Sequence, residues 1–215
     1  DEIVSIYGLN LTDKLLLASQ VPLPTSLSGL SISITDSAGV SRLAPLDFIS
    51  PTQVNFVVPS ATALGPASLT LSTADGTATT RYFQVAGVAP GLFSANGNGV
   101  GVAAAIAVDA AQNFQFVFQC GTTPGSCTAS PIDPGMEPNS TVLILYGTGI
   151  RSAKTVLVTI GGVRAPVSYS GPQLDYAGLD QINVAMPSAL SGLGEVAVQL
   201  TADGAAANIV TVAVK

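Results

Sequence analysis

The sequence predicts an all-β chain of antiparallel β-sandwiches, and three observations carry that reading. Apolar residues alternate with polar ones at the period of a strand. Glycine and proline punctuate those runs, and the order of motifs near the start returns near the end. Val54, Phe56 and Val58 alternate with Gln53, Asn55 and Val57; Leu69 and Leu71 alternate with Ser68, Thr70 and Ser72. Val210, Val212 and Val214 close the chain in the same way. Period-2 runs bounded by Gly, Pro, Asn and Asp mark half-buried antiparallel strands. Residues 11–18 have room for one or two helical turns, and residues 103–111 are Ala-rich but carry Val and Ile at strand spacing.

Composition narrows the function classes. The chain has 215 residues, enough for one large or two small domains, each with a core. It is 47% hydrophobic and 9% charged, which is not the profile of a disordered segment. Seven Lys/Arg against thirteen Asp/Glu leave a net charge of −6, so no basic face exists to bind nucleic acid. Twenty-two Gly and fourteen Pro are too many for a helical bundle. The long uncharged stretches are broken by Pro, Gly, Asn and Ser, so no membrane-spanning helix fits. The chain opens at Asp1 rather than Met, as expected of a mature product after signal cleavage or of a segment cut from a longer chain.

The repeat sets the domain organisation. Ile6-Tyr7-Gly8 is echoed by Leu145-Tyr146-Gly147, and Gln53-Val54-Asn55-Phe56 through Pro59-Ser60 by Gln181-Ile182-Asn183-Val184 through Pro187-Ser188. Leu64-Gly65 matches Leu193-Gly194, and Ala74-Asp75-Gly76 matches Ala202-Asp203-Gly204. The order is kept throughout, which indicates a duplicated module. The expected domains are residues 1–86 and 87–215. In each, a Gln-x-Asn strand ends at a proline that cannot donate to the ladder. The next two strands are joined by a two-residue hairpin turn, Asp75-Gly76 or Asp203-Gly204. Val54, Phe56, Val58, Ile182, Val184 and Met186 are expected to point inward, and the paired Tyr7 and Tyr146 read as core. The stretch between the repeats supplies opening strands of the second module.

Cys120 and Cys127 flank a Gly/Pro turn in that stretch. Their spacing is wrong for a CxxC redox motif, and two thiolates without histidine are half a zinc site. A disulfide closing a hairpin insertion is the expectation, and it favours a secreted protein.

The motifs Ala89-Pro90-Gly91-Leu92-Phe93, Tyr146-Gly147-Thr148-Gly149-Ile150, Val158-Thr159-Ile160-Gly161-Gly162 and Gln181-Ile182-Asn183-Val184 with Pro187, together with the closing Asn208-Ile209-Val210-Thr211-Val212, carry a resemblance. The chain resembles the acidobacterial, Solibacter-type secreted-protein C-terminal domain family, whose modules are similar to IPT/TIG Ig-like domains. The resemblance spans residues 88–215, with a fainter echo in 1–86. It implies two tandem Ig-like sandwich modules and secretion, and it brings no catalytic residues. The cysteine turn departs from the family pattern.

Catalytic chemistry finds little support. The absence of histidine rules out Ser-His-Asp, Cys-His and His-metal sites. Ser152-Ala153-Lys154 lacks the S-x-x-K spacing, and nothing selects a partner for Lys14 or Lys154. Asp175 with Asp180, and Asp133 with Glu137, are the carboxylate pairs a glycosidase would need, without aromatic company. Gly99-Val100-Gly101-Val102-Ala103-Ala104 fits a loose dinucleotide pattern but has no acid about 20 residues on. No cofactor is implied, although Asp109 with Asn113 and Asp175 with Asp180 offer loop oxygens to a loosely held Ca²⁺. Asn10 and Asn139 each open an Asn-x-Ser/Thr sequence.

The resulting expectation is a non-enzymatic, secreted structural or adhesive protein of the cell surface. Its partners are further copies of itself or other surface proteins. The alternative is a carbohydrate- or protein-binding module accompanying an enzyme, with Tyr82, Tyr169 or Tyr176 lining a groove. Only Asp1, Glu2 and Ile3 precede the run Val4-Ser5-Ile6-Tyr7-Gly8, so a chain that begins at Asp1 is expected to leave the first sandwich an open edge, the alternative being a segment of a longer protein. Such an edge recruits strands from other chains, residues 88–108 being one donor, and head-to-tail repetition builds fibres. The mean hydropathy of +0.52 agrees with a surface that is partly interface.

Overall fold

The computed structural model describes residues 1–136 and 140–215, and it is all-β, with one 3-10 turn at Ser188–Leu190 and no α-helix among the described residues. It divides into two compact units. One comprises Asp1–Gly87 with Asp175–Gly178, the other Val88–Leu174 with Leu179–Lys215.

The first unit holds β1 (Ile3–Tyr7), β2 (Leu16–Leu17), β3 (Ser26–Leu27), β4 (Leu30–Thr35), β5 (Ser41–Leu43), β6 (Leu46–Ile49), β7 (Gln53–Val57), β8 (Gly65–Ser72) and β9 (Ala78–Val85). One sheet runs β1-β7-β6-β2; the other runs β3-β4-β8-β9, with β5 on β4, and all pairs are antiparallel. Leu30, Ile32, Ile34, Leu69 and Leu71 from one sheet meet Leu46, Ile49, Val54 and Phe56 from the other in a single core. Each such side chain contributes about 1.5–3 kcal/mol when fully buried. That shared burial makes the unit a β-sandwich.

The second unit holds β10 (Gly91–Leu92), β11 (Ala105–Asp109), β12 (Phe114–Phe116), β13 (Phe118–Cys120), β14 (Cys127–Ala129), β15 (Thr141–Thr148), β16 (Val156–Ile160), β17 (Val163–Ala165), β18 (Val167–Pro172), β19 (Asp180–Ala185), β20 (Gly194–Ala202), β21 (Ala205–Ala206) and β22 (Val210–Val214). Its first sheet runs β12-β11-β15-β19-β18 with β10 on β15, and its second runs β17-β16-β20-β21 with β22 on β20. Ile182, Val184 and Met186 are fully buried against Val158, Ile160, Val210 and Val212 of the facing sheet.

The two units repeat one plan. β1-β7-β6 corresponds to β15-β19-β18, and β5-β4-β8 to β17-β16-β20. A register shift even recurs at the same place, between Leu46 and Phe48 in one unit and between Val167 and Tyr169 in the other. The residues 11–18 form no helix; they supply the short β2.

The two Asp-Gly turns differ, which corrects the expectation of matching two-residue turns. Asp203 (φ 48°) and Gly204 (φ 86°) form a two-residue turn between the paired Ala202 and Ala205, as a type I′ hairpin requires. At Asp75-Gly76 only the glycine has positive φ, and Thr73 N–H donates to Thr77 C=O across a three-residue loop. Thr73 Oγ1 and Thr77 N–H both donate to the Asp75 carboxylate, which holds Asp75 in the turn without left-handed backbone.

Cys120 and Cys127 form a disulfide across directly opposed positions of the β13–β14 hairpin. Gly121 N–H donates to Ser126 C=O (3.1 Å), so the cysteines occupy the non-hydrogen-bonded pair, where opposed side chains approach most closely. Cys127 N–H donates to Asn96 Oδ1 (2.7 Å), tying the hairpin to the glycine loop. Replacing Cys120 and Cys127 by Ser should cost about 2.5 kcal/mol on the chain-entropy model, measured by denaturant unfolding of the second unit. Alkylation followed by intact-mass analysis should find no free thiol in the native protein.

Candidate functional site

The acids singled out from sequence are largely consumed in holding the fold. Asp180 is 0% exposed and accepts hydrogen bonds from the Ile150 and Arg151 N–H groups (2.7 and 3.0 Å) and from Arg151 Nε (2.6 Å). It pins the Gly149-Ile150-Arg151 bend to the start of β19. Asp175 groups with the first unit and Asp180 with the second. Asp109 Oδ1 and Oδ2 accept from the backbone and side-chain amides of Asn113, closing the β11–β12 turn. Those hydrogen bonds hold its carboxyl below the usual carboxylate range, with the Asn113 side chain the largest cause. Asp109 and Asp133 line a cleft of about 230 Å³ with Asn113, Thr141 and Lys215. Glu137 and Asn139 lie outside the described residues. Among the described residues, no three His, Cys, Asp or Glu gather around a metal position.

The glycine loop has a structural partner. Asn208 Nδ2 donates to Leu92 C=O (3.0 Å) and Gly99 C=O (2.6 Å), and its Oδ1 accepts from Leu92 N–H (2.8 Å). Gly99 and Gly101 adopt positive φ, and the chain continues into β11 rather than a helix, so the dinucleotide pattern has no structural context.

Sequence reasoning did not single out Asp36. Its carboxylate accepts from Ala38, Val40 and Ala63 N–H (3.0 Å each) and pairs with Arg42 Nη1 (2.6 Å). Its only signal was the Asp36-Ser37-Ala38-Gly39 turn pattern; the Ala63 contact is long-range. The Ala63 hydrogen bond, helped by those from Val40, Arg42 and Ala38 and opposed by burial, lowers its pKa to about 2.

Outward-facing backbone groups lie at the sheet edges. Gly8 N–H donates to Thr52 C=O, and Val58 N–H to Glu2 C=O. By alternation, the backbone groups of Ser5 and Tyr7 therefore face away from β7. β1 is an end strand of its sheet. The equivalent side of β15 is covered: Ile144 pairs with Ile106 of β11, and Tyr146 C=O accepts Phe93 N–H (3.0 Å). The proposed donor, residues 88–108, is therefore spent within its own unit. Val102, Ala103, Ala105 and Ala107 are buried there, which corrects the donor expectation. A second open edge is β12, where Phe114 and Phe116 are exposed.

The outer sheet faces carry a repeated constellation. Gln53 Nε2 donates to Asn55 Oδ1 (2.7 Å), and Gln181 Nε2 donates to Asn183 Oδ1 (2.9 Å). Tyr7 lies opposite Gln53, and Tyr146 opposite Gln181. Tyr7 is 69% exposed and Tyr146 half-buried, so neither is the core residue expected of it. Ile6 and Leu145, one position earlier, take the inner face instead. Of the groove candidates, Tyr82 belongs to the first unit and Tyr169 to the second.

No protein-family model matches the chain, and no curated protein sequence matches it. A similar solved structure is SGBP-B of the Bacteroides ovatus mixed-linkage glucan utilization locus, in complex with a mixed-linkage heptasaccharide. It is 14% identical with a TM-score of 0.31, the match covering 100% of this chain and 40% of that one. The chain thus spans less than half of that protein. Likeness of this degree assigns neither ligand nor activity.

Asp180→Ala should destabilise the second unit by about 3–5 kcal/mol in denaturant unfolding, because it removes the buried acceptor of Arg151 Nε and of two backbone N–H groups. Asp36 acts through pH. Its folded pKa lies below the unfolded value, so its stabilising contribution is present above about pH 4 and is lost as pH falls towards about 2. Acid unfolding followed by circular dichroism should show that loss, and Asp36→Asn should remove this part of the pH dependence.

Proposed function

We propose that the chain is a non-enzymatic, extracellular structural or adhesive protein that assembles head to tail through its open strand edges. The observation that carries this reading is the β1 edge: Ser5 and Tyr7 direct backbone groups outward where the equivalent β15 is covered by β10 and β11. Unpaired edges recruit strands. β12 offers a partner edge in the second unit. Val117 N–H donates to Ala105 C=O and Asp109 N–H to Asn113 C=O, so alternation turns the backbone groups of Phe114 and Phe116 away from β11. A β1–β12 contact uses different patches on the two copies and does not close on itself, so repetition gives a fibre.

The extracellular placement is supported by the Cys120–Cys127 disulfide and by the resemblance to secreted Solibacter-type modules. No helix among the described residues is long and apolar enough to cross a membrane. The non-enzymatic reading is supported by the commitment of Asp36, Asp109 and Asp180 to structural hydrogen bonds.

The test uses proline at outward-facing N–H positions of an edge, where it removes a donor without breaking the existing ladder. The unaltered chain should show concentration-dependent light scattering and filaments by negative-stain microscopy. Ser5→Pro alone and Phe116→Pro alone should stay monomeric. Mixing the two should give dimers, since each retains one intact edge. A monomer at every concentration, or filaments unaffected by both variants, contradicts the proposal.

A further inference from the structure

From the outer face of the second unit we infer a binding platform for a neutral polysaccharide, formed by Tyr146, Tyr169, Gln181 and Asn183. The inference rests on the adhesive part of the preceding reading, to which it gives a ligand, and is independent of assembly.

The first observation is the arrangement itself. The Gln181–Asn183 hydrogen bond uses one donor and one acceptor of the amide pair. An amide carries two N–H donors and a two-lone-pair carbonyl, so Asn183 Nδ2 and Gln181 Oε1 retain capacity on the outer face. Tyr146 stands opposite Gln181 on one neighbouring strand, and Tyr169 stands opposite Asn183 on the other. Two aromatic rings therefore flank a donor-and-acceptor pair across roughly 10 Å, two strand spacings. A pyranose presents the complementary pattern, with hydroxyls at its edge and C–H groups on its face.

The second observation is how Tyr169 is held. Its hydroxyl donates to Pro172 C=O (2.7 Å), and its ring lies over Gly171. A Cβ at Gly171 would come within 2.8 Å of the Tyr169 hydroxyl and 3.1 Å of Cζ. Gly171 pairs with Gln181, so the ring lies beside the amides, 39% exposed. The backbone at Gly171 does not require glycine; the ring does.

The third observation is repetition. In the first unit Tyr7 faces Gln53, Gln53 Nε2 likewise donates a hydrogen bond to Asn55 Oδ1, and Phe48 takes the place of Tyr169 opposite Asn55. Core packing explains why the inward residues match between units; it does not explain matching residues on the outer face. Charge selects among ligands. The residues in register with Asn183 and Gln181 across this sheet are uncharged, and the chain has a net charge of −6, so the platform suits an uncharged glycan.

The experiment is affinity electrophoresis in gels containing hydroxyethylcellulose, xylan or galactomannan, with alginate as the anionic control. It is run below the concentration at which scattering rises. At least one neutral polysaccharide should retard the chain and alginate should not. Asn183→Ala, Tyr169→Ala and Gly171→Ala should each weaken binding by roughly tenfold, while thermal unfolding shows each variant folded. Gly171→Ala is the discriminating variant, since it leaves both amide side chains in place and the atoms nearest its new Cβ all belong to the Tyr169 side chain. Absence of retardation by all three neutral polymers, equal retardation by alginate, or loss in Asn183→Ala without loss in Gly171→Ala would each overturn the inference. Light scattering on the same samples reports assembly separately, so failure of the platform and failure of the edge contact are distinguishable.

Discussion

One strand in each unit fixes everything around it. β7 and β19 are hydrogen-bonded on both sides, and every second residue is buried against the opposite sheet. A slip of one residue would turn Val54 and Phe56, or Ile182 and Val184, into solvent and drive Gln and Asn into the core. Desolvating those amides without partners would cost several times what a buried methylene contributes. The register is therefore rigidly set, and with it the outward placement of the amides, the tyrosines opposite them and the edge presented by β1.

Within that frame, charge serves architecture. Two acids are buried among the described residues, and each is compensated by an arginine and by backbone N–H groups. Pairs of this kind hold loops in one geometry more than they add stability, because desolvation consumes much of the attraction. Asp36 gathers the β4–β5 turn and Ala63; Asp180 gathers the bend after β15. In the proposed reading, recognition falls instead to strand edges and aromatic-amide faces.

Much of this was legible in the sequence because it rests on local periodicity. Alternation located β7, β8 and β22, ordered motifs exposed the duplication and with it β19, and the Gly/Pro turn between Cys120 and Cys127 announced a closed hairpin. The misplaced Tyr7 and Tyr146 show where repetition misleads, since a position kept in both modules need not face the core. An aromatic at a strand position reads as core until its register against the neighbouring inward residue is known. Asp36 and Arg151 were illegible for a different reason, since their partners are set by tertiary approach. The two Asp-Gly turns look alike in sequence, yet Thr73 and Thr77 bind the Asp75 carboxylate in one, while Asp203 is drawn to Lys154 and Thr155 N–H in the other.

In the proposed assembly Ser5 and Tyr7 of β1 offer their outward backbone groups to another copy of the chain, whereas β15 has that side satisfied within its own unit. Amide hydrogen exchange compares the two directly, at Ser5 and Tyr7 against Ile144. At low concentration the Ser5 and Tyr7 amides should exchange rapidly and Ile144 slowly. As concentration rises, Ser5 and Tyr7 should become protected, together with Phe116 of β12. Fast exchange at Ser5 and Tyr7 that is unchanged at every concentration would contradict the account.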